Sequence, residues 1–297
     1  MRSAASLSML SLALGSLLVG CVESPTDDPE DSPDASARES TATSSLVAAN
    51  RITLNRITLN RITLNRLQAS RLAAGRLTSG RLKINMAVAG GLLATEDGRE
   101  VFSLIVSCAM PPEITLVGDV AGTTFEFPGE IGLASRWKDI ALDQTGQRWV
   151  SACMFARVNA HEVALPISIR GPHVALATSR DEREGFPLEE GAFFGNLFVP
   201  LDQPIPWFAC RGKDQARGET GGLVDRDCTE PDPQHPGLTQ CGFLFAGDCG
   251  NFAAKHACED FSESGTFYRD CHTQPFRLFP VPYDHVFPEV ITTFVTP

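Results

Sequence analysis

From Met86 onward, short apolar runs are separated by turn-forming residues, a pattern that predicts an α+β fold, mostly β. GREVFSLIVSCAM (98–110) alternates and then turns apolar, which predicts a strand or short helix ending at Pro111-Pro112. ITLVGDVAGTTFEFPGEIG (114–132) reads as two strands joined by a Gly-containing turn. In QRWVSACMFARVNAH (147–161), Trp149, Ala152, Cys153 and Ala156 fall on one helical face, with Val150, Met154 and Val158 beside it. Alternation fits that stretch nearly as well, but its length and alanine content favour a buried helix. VALPISIRG (163–171), GAFFGNLFVPL (191–201) and PWFACRG (206–212) read as strands, Gly195 marking a bulge in the second. Beyond Cys210 the text fills with Gly, Pro and Asp around short apolar pieces such as GFLFAG (242–247) and FAAKHAC (252–258). There, bridges rather than a large core are expected to hold the chain. VITTFVT (290–296) predicts a closing strand. The expected globular domain, residues 86–297, is long enough for one good core or two small ones.

Upstream the pattern changes three times. A single cation, Arg2, precedes an apolar stretch from about Leu7 to Val19, the form of a secretory signal and too short for a lasting membrane span. It closes on Leu18-Val19-Gly20-Cys21, which resembles the lipobox of bacterial lipoproteins. That resemblance implies cleavage after residue 20 and a lipid on the Cys21 sulfur. More than one acyl chain is needed for a stable anchor. Val22 in place of an acidic sorting residue favours the outer membrane. Residues 22–48 are acidic, proline-dotted and nearly devoid of apolar side chains, as expected of a disordered tether.

Residues 49–85 carry a period of five. Arg51, Arg56, Arg61, Arg66, Arg71, Arg76 and Arg81 are each followed by Ile or Leu and preceded by Asn, Ser or Gly. Each repeat would advance a helical wheel by about 500°, so no apolar stripe forms. An odd period also flips the faces of a flat strand. The spacing resembles that of pentapeptide-repeat solenoids, which implies a partial β-solenoid with Ile52 and its counterparts inward and Arg outward. That family favours Asp or Asn where this chain has Arg, and seven repeats are too few for two turns. An irregular basic spacer is the competing expectation.

Charge sharpens the division. Residues 22–45 net −6, residues 50–84 net +8 and residues 85–297 net −14. The basic block is expected to neutralise its acidic neighbours or to meet anionic envelope polymers or lipid headgroups. Nucleic acid is excluded by the exported location and the acidic domain.

Besides Cys21 there are eight cysteines. An even number in an exported chain predicts up to four disulfides. The expected pairs are Cys108 with Cys153, and three bridges among Cys210, Cys228, Cys241, Cys249, Cys258 and Cys271. No C-x-x-C pair is present, which argues against zinc and c-type haem.

Catalytic signatures are sparse. G-x-S-x-G, H-E-x-x-H and the P-loop are absent, and no cofactor motif stands out. Ser135-Arg136-Trp137-Lys138 spells S-x-x-K without partner motifs. His161-Glu162 and His173 bracket a strand and could hold an acid/base pair, though surface or capping roles are the commoner reading. Asp225, Asp227, Glu230 and Asp232 offer oxygens that could bind Ca²⁺, against the competing reading of an ordinary solvated loop.

WVSACMFARVNAHEVALPISIRGP, EGAFFGNLFVP and WFACRG together resemble uncharacterised myxobacterial cell-envelope lipoproteins, over about residues 98–271. The resemblance implies a location and no activity. The expectation is an outer-membrane lipoprotein with a non-enzymatic binding or structural role, its domain facing the periplasm or the cell surface. A secreted-type envelope hydrolase and a Ca²⁺-dependent adhesion module are the alternatives.

Overall fold

The repeat enters the folded structure as a hairpin. The computed structural model describes residues 47–50, 67, 70–159, 165–200, 207–216, 226, 228–250, 257–260, 266–272 and 286–297. Strand β1 (Val47–Asn50) ends at the first repeat. Cys21 and the repeats from Arg51 to Arg66 lie outside the described residues. The last repeats form strands β2 (Ala73–Thr78) and β3 (Arg81–Ile84), an antiparallel pair. No closed solenoid turn is present among the described residues. Leu67, Leu72 and Leu82 are buried as expected of inward positions, but Leu77 is 50% exposed beside the hairpin turn. Arg71, Arg76 and Arg81 face outward. Gly80 makes the turn at φ 77°, where a Cβ would meet the Glu113 carbonyl oxygen at 2.3 Å.

Two helices follow, α1 (Met86–Leu93) and α2 (Glu96–Ala109). The stretch 98–110, open between strand and short helix in the sequence, lies almost wholly in α2, a 14-residue helix. The Thr95 side chain caps it by accepting from Gly98 N at 3.1 Å. A Cβ at Gly98 would lie 1.9 Å from the Leu92 carbonyl oxygen, so only glycine allows α1 to approach so closely. The helices carry the chain to β4 (Thr115–Val120), which pairs parallel with β3. A parallel pair requires such a crossover. The expected hairpin then closes with β5 (Thr123–Pro128), completing a four-stranded sheet in the order β2-β3-β4-β5.

Helix α3 (Gln144–Ala156) is the expected buried helix, capped by the Asp143 carboxylate on Gly146 N at 2.8 Å. The Cys108–Cys153 disulfide joins α2 to α3. Strand β6 (Leu165–Arg170) and a short helix α4 (Arg180–Gly185) lead to β7 (Leu188–Gly195). The sequence placed that strand at 191–201. Instead it begins at Leu188 and stops at Gly195 (φ 142°). Asn196 Nδ2 then donates to Gln147 Oε1 (3.0 Å), and Leu197 N donates to Ser151 Oγ (2.8 Å). These bonds to α3 replace the ladder and turn Leu197 and Phe198 into the core.

Strand β8 (Trp207–Arg211), helix α5 (Lys213–Ala216) and β9 (Leu244–Asp248) come next. Strands β10 (Ala257–Asp260), β11 (Tyr268–His272) and β12 (Val286–Phe287) form a separate three-stranded sheet. The last strand, β13 (Ile291–Val295), sits inside a six-stranded sheet ordered β1-β6-β13-β7-β8-β9. Both faces of that sheet are covered. Phe193, Ala209 and Ile291 join a core shared with α2 and α3, whereas Ala192, Phe194 and Cys210 join a second core with the small sheet. Double coverage explains why residues 191–195 of β7, and β13, read as runs of apolar or small residues rather than alternating ones.

Candidate functional site

The small sheet meets the middle of α3 at a cleft of about 290 Å³ lined by Trp149, Pro172, Arg269, Asp270, Pro288 and Glu289. Helix α3 supplies Trp149 and the turn after β6 supplies Pro172. Arg269 and Asp270 come from β11, and Pro288 and Glu289 from the link between β12 and β13. A Cβ at Gly171 would meet the Val290 carbonyl oxygen at 2.6 Å and the Trp149 ring at 3.5 Å, so glycine lets these walls close together.

The walls are apolar and the polar groups are mixed. Trp149 packs edge-on against the His173 ring, centroids 5.2 Å apart. Glu289 is buried, with Arg148 Nη1 3.6 Å from its Oε2. Burial raises the Glu289 carboxyl above its usual range, and the Arg148 charge only partly offsets this. The Arg148 guanidinium also lies 4.8 Å from the Phe287 ring centroid. Asp270 holds a left-handed backbone, φ 42°, which glycine adopts freely and aspartate at a smaller cost than most side chains. A left-handed acidic residue, an aromatic wall and a carboxyl whose pKa is raised by burial thus meet in one cleft. That combination makes this cleft the candidate site.

The sequence-derived candidates fare differently. Every described cysteine is bridged: Cys108–Cys153, Cys210–Cys249, Cys228–Cys241 and Cys258–Cys271. This matches the expected division into one pair and three within 210–271. His173 caps the short helix Val174–Leu176, its Nδ1 accepting from Ala175 N at 3.1 Å, and burial keeps its pKa below the usual value. His161 and Glu162 lie outside the described residues. In the S-x-x-K segment, Trp137 Nε1 donates to the carbonyls of Leu67 and Ser70, and Lys138 pairs with Asp139. The segment therefore anchors the repeat to the domain. Glu230 pairs with Arg211 at 3.2 Å, and Asp232 accepts from Gln234 N and meets His235 at 2.7 Å. Asp225 and Asp227, the other two Ca²⁺ candidates, lie outside the described residues. In the basic block, Arg81 pairs with Glu126 and Lys83 lies 3.8 Å from Asp119.

The sequence reading missed Asp270 and Glu289. Neither sits in a motif, and both are far along the chain from Trp149. Among the described residues no helix is long and apolar enough to cross a membrane. No protein-family model, curated protein or solved structure matches the chain.

Proposed function

We propose that this protein is a lipid-anchored lipoprotein of the bacterial outer membrane whose domain binds a saccharide unit of an envelope polymer. The anchor reading rests on Leu18-Val19-Gly20-Cys21 behind a secretory signal. Four disulfides suit an oxidising compartment. One observation carries the binding reading: the cleft joins Trp149, Pro172 and Pro288 to the Asp270 and Glu289 carboxyls and the Arg269 guanidinium. Apolar walls suit the C–H face of a sugar ring, and a few placed donors and acceptors suit its hydroxyls. Arg71 and Arg76 add exposed positive charge for anionic polymers or headgroups.

Titration of the full chain with soluble peptidoglycan disaccharide, and separately with lipopolysaccharide core oligosaccharide, tests the ligand class. A saturable signal that Asp270→Asn weakens is expected for one of them. No saturable binding to either removes the saccharide reading. Cys21→Ser should release the protein from the membrane pellet, and retention there would remove the anchor.

A second reading, an envelope hydrolase, is favoured by Glu289 itself. A carboxyl raised by burial that shares a cleft with a second carboxyl suits the acid role of glycoside hydrolysis. Product release abolished by Glu289→Gln, with binding retained, would select it.

A further inference from the structure

Two of the four disulfides touch. Cys210 lies on β8 and Cys249 directly follows β9, so their bridge belongs to the large sheet. Cys258 and Cys271 are register partners on β10 and β11, so theirs belongs to the small sheet. Where the sheets pack, Cys210 Sγ lies 3.3 Å from Cys258 Sγ. The sulfurs of Cys210, Cys249 and Cys258 all lie within 4.8 Å of one another. Cys210, Cys258 and Cys271 are fully buried, while Cys249 keeps 9% of its surface exposed. All four belong to the second core, with Ala192, Phe194 and Tyr268. The Cys108–Cys153 and Cys228–Cys241 bridges belong to the other core.

We propose that Cys210, Cys249, Cys258 and Cys271 form one disulfide-exchange unit, able to move a bridge from within each sheet to between the sheets. Exchange begins when a thiolate of an external dithiol attacks Cys249, the one residue of the four that keeps exposed surface. A mixed disulfide forms on Cys249, the Cys210–Cys249 bond breaks, and its electron pair leaves on Cys210 as a thiolate. That thiolate already faces Cys258 Sγ. Its attack forms a Cys210–Cys258 bond and breaks Cys258–Cys271. The electron pair then leaves on Cys271, which takes a proton from solvent. The second thiol of the dithiol frees Cys249 as a thiol and leaves as an intramolecular disulfide. In sum, the protein gains two electrons from the dithiol and two protons by way of solvent, and one new bridge stands where there were two. That bridge now staples β8 to β10, and the freed Cys271 adjoins Asp270 of the cleft.

The full chain carrying Cys249→Ser, made in an oxidising compartment, tests this. Cys210 is then a thiol beside an intact neighbouring bridge. After acid quenching, alkylation and peptide mapping, the alkyl tag is expected to move from the Cys210 peptide to the Cys271 peptide, with a Cys210–Cys258 cross-link present. A tag confined to Cys210, with Cys258 still bridged to Cys271, overturns the proposal. If the variant does not fold, the unmodified chain treated with substoichiometric dithiothreitol and mapped in the same way decides. A Cys210–Cys258 cross-link among partly reduced species supports exchange, and its absence overturns it.

Discussion

Arg226 Nε lies 3.3 Å from Glu190 Oε1 with both side chains shut away from solvent. Arg226 also donates to the Ala156 carbonyl, and Thr293 Oγ1 donates to Glu190 Oε2 at 2.7 Å. The pair thus links the end of α3 to the centre of the large sheet. Desolvation lowers the Arg226 pKa, and Glu190 opposes that shift. Removing one partner strands a buried charge, which costs about 3–5 kcal/mol, whereas replacing both by apolar groups is often neutral. Arg226→Met and Glu190→Leu should therefore each lower urea stability of the oxidised protein by that order. Arg226→Met with Glu190→Leu should recover most of the loss. Additive losses in the double variant would show that the two side chains act separately.

The repeat supplies a paired comparison. Leu82 is buried on β3 and hydrogen-bonded through its backbone into the sheet, while Leu77, one repeat earlier, is half exposed. Leu82→Ala should cost about 2–5 kcal/mol as a buried truncation, and Leu77→Ala less than about 0.5 kcal/mol. Equal effects in chemical denaturation would mean that the last repeats are not part of the domain's core.

Local pattern made much of the fold legible. Helix α3 was readable from the stripe of Trp149, Ala152, Cys153 and Ala156, and the β4–β5 hairpin from two strand-like runs joined by a Gly-containing turn. The end of β7 was not, because Gly195-Asn196-Leu197-Phe198 keeps a strand's apolar character while its hydrogen bonds go to α3. Nor was the hairpin of the last repeats. The identical spacing of Leu72, Leu77 and Leu82 cannot say that the middle one sits at a turn. The cysteine partition was legible from spacing. The 3.3 Å approach of Cys210 to Cys258 depends on two sheets packing, and no spacing encodes that. The cleft was illegible for the same reason: Trp149, Asp270 and Glu289 come from separate elements joined by tertiary structure.

The β4–β5 turn can be improved. Ala121 and Gly122 both have positive φ, 49° and 82°, the geometry for which Asn-Gly is the preferred pair. Ala121 bears the steric cost of a left-handed Cβ, which asparagine tolerates better. Ala121→Asn should raise stability by about 0.5–1 kcal/mol, read as a higher urea midpoint with an unchanged slope. A lower midpoint would contradict the turn assignment.

Asp270 allows strain and function to be separated. Glycine adopts φ 42° without steric cost, so Asp270→Gly should stabilise the protein by up to about 1 kcal/mol. It should also remove an acceptor from the cleft and weaken ligand binding. Asp270→Asn keeps the strain and loses the charge, so it should weaken binding with little change in thermal midpoint. If Asp270→Gly destabilises the protein instead, the carboxylate contributes more to the fold than the strained backbone costs.

Glu289 gives the cleft a signature in pH. Its carboxyl is raised in the folded protein, chiefly by burial, so the fold retains this proton at pH values where the unfolded chain has released it. The resulting contribution to stability is full below the ordinary carboxylate range and is lost as pH rises through the raised value. Glu289→Gln keeps a neutral group of the same size at every pH. The variant should therefore match the parent near about pH 4, where the parent carboxyl is largely protonated in the fold, and become progressively more stable than it toward neutrality. Urea midpoints for both proteins across that range read the difference directly. If the variant instead loses ground as pH rises, attraction to Arg148 outweighs desolvation, and Glu289 is held as a charged partner rather than a neutral acid.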